Sequence, residues 1–364
     1  MRVEEFAKAY LSKYTPFKKY WNYEDGCVLV GAKQLYEATG DPFYTEFLEK
    51  FVSQFVDEDG TINNYEVGKN SIDNINCSKI LFFMYEHTGE EKYRKAIEFT
   101  MNELRKHPRC ECGNFFHKAI YPYQIWLDGL YMAQPFYMEY ETKFDNKGKY
   151  QDIVSQFENA QKYLYDEKKG LCYHAYDEKK VQFWANPQTG RSANFWLRSM
   201  GWYLLALVDT MDNMSKEIYE SYRSLQDIFQ TVVHGILQYQ DPETKLFYQV
   251  IDKGDFPGNY VEASGSAMVA YALLKGCRIG ALLPEKYLAV GQEIFENLEA
   301  RKLQVVDGEL HLTGNCSVAG LGPDTNRRRD GSVEYYLSEP ITNDDTKGVG
   351  AFFMAYAEYL KSKK

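Results

Sequence analysis

The stretch Tyr121-Pro122-Tyr123-Gln124-Ile125-Trp126-Leu127-Asp128-Gly129-Leu130-Tyr131-Met132 sets one carboxylate, Asp128, among large apolar side chains. Burying an ionised carboxylate there is costly unless it is paired or holds a proton. Asp128 is therefore either the cap of a helix or an acid. A carboxylate at a helix N-terminus gains about 0.3–1 kcal/mol from the dipole, but that setting lowers its pKa, the opposite of what proton donation needs. Asp73, in Ser71-Ile72-Asp73-Asn74-Ile75, occupies the matching place in an earlier stretch of the same kind. Two carboxylates facing one cleft would hold each other's pKa up and keep one proton available for acid catalysis. Paired acids also occur in purely structural networks.

Asn194-Phe195-Trp196-Leu197-Arg198-Ser199-Met200-Gly201-Trp202 adds a cation and two indoles. Arg198 and Trp202 are spaced i,i+4 and share a helix face. A cation in the first turn of a helix is disfavoured by the dipole, so Arg198 calls for an anionic partner, either Asp73 or Asp128 or a carboxylate on a substrate held in a two-pronged grip. His174, in Cys172-Tyr173-His174-Ala175-Tyr176, lies on the connection before that helix, and His117-Lys118 lies similarly before Trp126. Each is open to a functional reading or to that of a structural hydrogen bonder or solvated loop. Trp126 and Asp128 are two residues apart and line one cleft only if the helix starts near Leu127. The nearest approach to a metal cluster is His107, Cys110, Cys112 and His117; its C-x-C spacing departs from common zinc patterns, so a reduced, partly buried loop without metal is expected.

Other signatures are missing: no G-x-S-x-G, no phosphate-binding loop, no dinucleotide fingerprint, no H-E-x-x-H. The 364 residues carry 42 Lys plus Arg against 52 Asp plus Glu, a formal charge of −10, which leaves no basic footprint for nucleic acid. No run of about 18 apolar residues is present to span a bilayer. Aromatic residues reach 16%, a surplus that suits a cleft stacking on flat ligands such as sugar rings. The first ten residues mix charges through what would have to be the apolar core of a secretory signal. Seven scattered cysteines, an odd number, read as reduced thiols, and the expectation is a cytoplasmic protein.

What must position these residues is a set of helices of two kinds. Charged amphipathic segments run over Arg2 to Tyr14, Asp41 to Val56, Glu90 to Lys106, Asp145 to Tyr165, Ser215 to Tyr239 and Pro284 to Lys302. Between them lie segments rich in small and apolar residues: Gly26 to Thr39, Ile72 to His87, Leu127 to Tyr140, Phe195 to Met211, Val261 to Gly276 and Gly348 to Leu360. Helices with little charge must be buried all round, whereas amphipathic ones need one covered face. Six of each, strictly alternating, predict an all-α (α/α)6 toroid of helical hairpins. No composition shift marks a boundary, so residues 1–364 read as a single domain. Two joints repeat, Thr39-Gly40-Asp41 and Thr88-Gly89-Glu90; in each, glycine can end one helix in the left-handed conformation and the acid suits the start of the next. Turn signals before the apolar helices gather the connections at one end of the ring, where function is expected.

At these residues the sequence resembles glycoside hydrolase family 105, the unsaturated rhamnogalacturonyl hydrolases. The matching stretches include Tyr23-Glu24-Asp25-Gly26, Ser71-Ile72-Asp73, His117-Lys118, Trp126 to Ala133, Trp184-Ala185-Asn186-Pro187, Arg198-Ser199 with Gly201-Trp202-Tyr203, and Gly331 to Tyr336. The resemblance implies an (α/α)6 barrel, free of metal and organic cofactor, that removes the terminal 4,5-unsaturated uronic acid left on pectin oligosaccharides by lyases. It implies hydration of a vinyl ether in place of attack at the anomeric carbon by two carboxylates. By matching position, Asp128 is the general acid and base and Asp73 holds the ring and modulates the proton. Trp126 and Trp202 stack, Arg198 and His174 contact polar groups, and His117 and Lys118 join the substrate-binding set. The implied partner is a small oligosaccharide, not nucleic acid or membrane. The nearest rival is an unsaturated glucuronyl hydrolase acting on glycosaminoglycan disaccharides. More distant ones are a sugar isomerase or epimerase on the same barrel, expected to use paired histidines, and a non-catalytic sugar-binding barrel.

Overall fold

The structure, a computed structural model, describes residues 2–364. In chain order its helices are α1 (Arg2–Lys13), α2 (Tyr23–Thr39), α3 (Pro42–Val52), α4 (Asp73–Asn76), α5 (Lys79–Thr88), α6 (Glu91–Arg105), α7 (Leu127–Phe144), α8 (Tyr150–Leu164), α9 (Leu197–Asn213), α10 (Tyr219–Leu237), α11 (Ala263–Arg278), α12 (Pro284–Lys302), α13 (Val333–Ser338) and α14 (Thr346–Ser362). The strands are short: β1 (Gln124–Trp126), β2 (Tyr165–Asp166), β3 (Leu171–Cys172), β4 (Ala175–Asp177), β5 (Leu303–Val306), β6 (Glu309–Leu312), β7 (Asn315–Cys316) and β8 (Ile341–Thr342). They form antiparallel pairs, β1 with β4, β2 with β3, β5 with β6 and β7 with β8.

Composition decides which helices go inside. Every residue of α11 except Arg278 is buried, whereas α12 buries only Tyr287, Gly291, Ile294, Phe295 and Leu298 along its length. Helix α2 packs on α14, α14 on α11, α11 on α9, α9 on α7, α7 on α4, and α4 and α5 on α2 again, so the inner set closes a ring. Outside it, α3, α6, α8, α10 and α12 each lie against the inner helix that precedes them in the chain, and α1 lies against α3. This is the (α/α)6 toroid. At the α2–α14 contact a side chain on Gly350 would place its Cβ 2.4 Å from the carbonyl oxygen of Cys27, so only glycine lets the two backbones approach this closely.

The first joint forms as expected. Gly40 has φ +72°, its N–H donates to the carbonyl of Tyr36, and the Asp41 carboxylate accepts from the Phe43 N–H to cap α3. The second repeats the left-handed glycine at Gly89, but Glu90 makes no capping hydrogen bond. Its longer side chain pairs instead with Lys92, at 2.6 Å.

Two features differ from the expectation. Ile72 to His87 is not one helix: after α4 the backbone passes through Cys77 and Ser78 with i→i+3 bonds before α5 begins. Gly26 of α2 faces that junction so closely that a Cβ there would meet Cys77 Cα and Asn76 Oδ1 at 2.7 Å, and Trp21 Nε1 donates to Ser78 Oγ. The strand pairs and α13 carry too few residues to leave a periodic signal. Among the described residues no helix is long and apolar enough to cross a membrane.

Candidate active site

Asp73, Asp128 and Arg198 sit in the first turns of α4, α7 and α9, and His117, Lys118, Trp126 and His174 lie on the segments that lead into the inner helices. Trp126 belongs to β1 and is extended (φ −115°, ψ 142°), so α7 starts at Leu127. That is the condition under which Trp126 and Asp128 can border one space. The Leu127 N–H donates to the carbonyl of His174 at 3.1 Å, which ties the strand before α7 to the residue leading into β4. Asp128 Oδ2 lies 3.2 Å from His174 Nε2, yet neither atom makes an aligned hydrogen bond. On its other side His174 Nδ1 meets the Tyr336 hydroxyl at 2.8 Å. Helix α7 has no side-chain cap, so Asp128 does not serve as one.

Asp73 opens α4 and is held by the loop that leads to β1. The Ile72 N–H donates to the His117 carbonyl, and Ser71 bridges Lys118. This brings Lys118 Nζ to 2.5 Å and His117 Nε2 to 3.7 Å from the Asp73 carboxylate. Burial pushes the Asp73 carboxyl up, but Lys118 and His117 outweigh it and the net direction is below the ordinary carboxylate range. The expectation that Asp73 and Asp128 hold each other's pKa up therefore fails for Asp73, because Lys118, which the sequence left open between substrate binding and a solvated loop, is bound to it. Trp126 is only 5% exposed and is layered with the protein's own rings, His117 at 4.5 Å and 6° and Tyr121 at 4.9 Å and 23°.

Burial, opposed by Asp73 and aided by Lys118, pulls His117 down to about 4. Once unfolded, the same imidazole titrates near 6.5. The unfolded chain then binds more protons in between, so stability is full above about pH 6.5 and is lost as pH falls toward 4. A shift of this size corresponds to a loss on the order of 3 kcal/mol at most. Denaturant melts of His117→Gln between pH 7 and pH 4 should show a shallower fall than the parent protein; parallel curves would mean that His117 is not the group responsible.

Arg198, second residue of α9, has partners the sequence did not suggest. It is 1% exposed; its Nε donates to Ser264 Oγ at 2.8 Å, a terminal nitrogen contacts the Cys316 carbonyl, and Glu262 and Asp345 lie at 3.6 and 3.7 Å. Burial opposes its charge, and these neighbours overcome that and hold the guanidinium protonated. The expected pairing with Asp73 or Asp128 is thus replaced by Glu262 and Asp345, which cap α11 and α14. Both are acids immediately before an apolar helix, the one sequence signal by which they could have been found. Trp202 follows Arg198 on α9. One turn deeper in α9, it is 2% exposed and stacks on Tyr131 of α7 at 5.0 Å.

A cavity of about 1060 Å³ opens between α1, the β5–β6 hairpin and the segment entering α14. Neither Asp73 nor Asp128 lines it. Its inner wall holds Tyr23, Glu24, Ser317, Asp345 and Lys347, so it reaches the partners of Arg198, and Tyr23 and Glu24 feel the charges of Asp73 and Lys118 respectively. Of the residues weighed as metal ligands, His107 is spent on the Phe116 carbonyl at 2.8 Å and His117 stands by Asp73. Cys110 and Cys112 stay together, joined by Glu178, which sequence reading missed.

The chain is similar to known proteins along its whole length. The model of Glycosyl Hydrolase Family 88 matches residues 2–363. A glycoside hydrolase of family 105 from C. acetobutylicum ATCC 824 is 43% identical, with a TM-score of 0.93 over 98% of both chains. The unsaturated rhamnogalacturonyl hydrolase YesR of Bacillus subtilis (strain 168) is 26% identical over 350 residues, 94% of this chain and 91% of its own. An unsaturated glucuronyl hydrolase specific for heparin shares the fold at 15% identity, with a TM-score of 0.72 over 100% of this chain and 95% of its own.

Proposed function

This chain belongs to the proteins matched by the Glycosyl Hydrolase Family 88 model and to the family 105 glycoside hydrolases, and from that premise we propose that it releases the terminal 4,5-unsaturated galacturonic acid from unsaturated rhamnogalacturonan oligosaccharides. It is a glycoside hydrolase of the unsaturated uronyl hydrolase type; the substrate is our reading, supported by the likeness to YesR over nearly the whole length of both chains. Residues 1–364 act as one catalytic domain, in the cytoplasm.

The observation that carries the mechanism is Asp128: a carboxylate at the start of an inner helix, with Oδ2 lacking a hydrogen bond although His174 stands 3.2 Å away. Asp128 enters the cycle protonated and gives its proton to C4 of the unsaturated ring. The positive charge that develops at C5 is shared with the ring oxygen. Water attacks C5 and gives its proton back to Asp128, which returns the acid to its starting form. The resulting hemiketal opens and expels the neighbouring sugar, so no bond to the protein forms at any stage. Asp73, held ionised by Lys118 and His117, faces the developing positive charge and holds ring hydroxyls. His174, fixed by Tyr336, stands 3.2 Å from the Asp128 carboxyl and contacts polar groups of the substrate. Trp126 backs His117 and borders the ring, and Arg198 and Trp202 shape the site from the α9 side.

The test is loss of the ultraviolet absorbance of the conjugated double bond on incubation with unsaturated galacturonyl-rhamnose and, separately, with unsaturated glucuronyl disaccharides. Faster loss with galacturonyl-rhamnose is expected. The reverse order would move the substrate to the glycosaminoglycan type, and no loss with either would remove the hydration chemistry.

A further inference from the structure

The loop between α6 and β1 carries two thiols that the proposed hydrolysis does not use. Cys110 Sγ, Cys112 Sγ and a Glu178 carboxylate oxygen all lie within 4.8 Å of one another. Zinc–sulfur bonds of about 2.3 Å in a tetrahedron set sulfur atoms roughly 3.7 Å apart, so closing this trio on a zinc ion asks for a movement of about 1 Å or less. The other five cysteines are buried and join no such group among the described residues.

The three ligands are held before any ion arrives. The Cys110 N–H donates to the Asn114 carbonyl at 2.8 Å and the Gly113 N–H to the Cys110 carbonyl at 3.0 Å; Gly113 itself has φ +100°, which a side chain would resist. The Asn159 amide donates to the Cys112 carbonyl at 2.9 Å. Glu178 comes from a different segment, directly after β4, and its two oxygens accept the N–H groups of Glu111 and Cys112 at 2.8 and 3.0 Å. Each oxygen keeps a lone pair for a further partner. Hydrogen bonds that aim ligands in this way commonly accompany metal sites.

We propose that Cys110, Cys112 and Glu178 form a structural site for a borderline-soft divalent cation, Zn²⁺, with the fourth position left to water on the half-exposed side of Cys112. Two thiolates with one carboxylate suit zinc and exclude the hard cations Mg²⁺ and Ca²⁺, which take all-oxygen shells. As the ion enters, the two thiol protons leave to solvent, so binding is tighter at higher pH. The ion clips the loop that ends at His117-Lys118 to the strand that follows His174. It therefore braces two walls of the candidate active site without touching substrate.

The experiment uses the full chain, reduced and stripped of metal, then dialysed against Zn²⁺, with bound zinc counted per chain and Co²⁺ substituted as a spectroscopic probe. The parent protein should retain one zinc per chain. Its Co²⁺ form should show thiolate charge-transfer absorption and the visible bands of a tetrahedral ion, and zinc should raise its melting midpoint. Cys112→Ser, chosen because the residue is half-exposed and the variant should fold, is expected to bind zinc more than about tenfold more weakly and to lose the midpoint shift; Glu178→Gln should weaken binding in the same direction. Failure of the parent to retain stoichiometric zinc, a Co²⁺ spectrum without thiolate character, or unchanged affinity in Cys112→Ser would overturn the site. None of these readouts depends on the hydrolase reaction.

Discussion

Replacing Asp128 by Asn should lower kcat by about 10²–10⁴ while an unsaturated disaccharide still binds. The amide keeps the size of the carboxyl and its ability to sit beside His174, but it has no proton to transfer to C4. Loss of kcat without loss of binding separates this role from a structural one. If Asp128 served only the fold, its removal would cost about 0.5–2 kcal/mol of stability and leave turnover close to normal at moderate temperature. The absence of any side-chain cap on α7 already argues against that alternative. Single-turnover kinetics and a ligand titration on the same purified variant decide between the two; turnover near the parent rate would take Asp128 out of the mechanism.

Asp73→Asn should cost about 10² in kcat and, unlike Asp128→Asn, should change the shape of the pH profile. Asp73 is ionised in the folded protein because Lys118 and His117 face it, so it supplies a negative charge next to a reaction that develops positive charge at C5. Removing it takes a fixed negative charge out of the site, and the alkaline limb of kcat should move to lower pH. A purely structural Asp73 would lower the amount of folded protein and leave the profile of the remainder in place. Breaking a buried ion pair by deleting one partner costs on the order of 3–5 kcal/mol, but the Lys118 side chain keeps 28% of its surface accessible and can turn to water. Folded Asp73→Asn should therefore be obtainable for the measurement. An unshifted limb would assign Asp73 to positioning alone.

Much of the architecture is legible in the sequence because it follows from local composition. A helix with no charged face, such as Ala263–Arg278, has nowhere stable to go except between other helices, and one with a single apolar face, such as Pro284–Lys302, must cover them. Alternating the two kinds six times leaves a ring of hairpins as the arrangement that buries every apolar face. The same local logic puts Asp128 two residues past the end of β1, since Trp126 and Asp128 can share a space only if the helix begins between them. The left-handed glycine at Gly40 is of this kind too: the turn demands a positive φ and the residue type announces it.

What the tertiary structure alone decided is which charges meet. Asp73 owes its ionised state to Lys118, 45 positions away, and Arg198 answers to Glu262 and Asp345 on two other helices. Glu178 reaches Cys110 and Cys112 only because β4 pairs with β1. Electrostatic energy depends on separations of a few ångströms in a medium of low dielectric, and those separations are set by loops whose paths leave no periodic trace in the chain. The depth of Trp202 was hidden for a related reason. Its i,i+4 spacing from Arg198 fixes a shared face of α9, but only the packing of α9 on α7 sets it against Tyr131 inside the ring. The sequence thus determined the helices and the residue types at their N-termini; the closing of the ring determined which of those residues share a field.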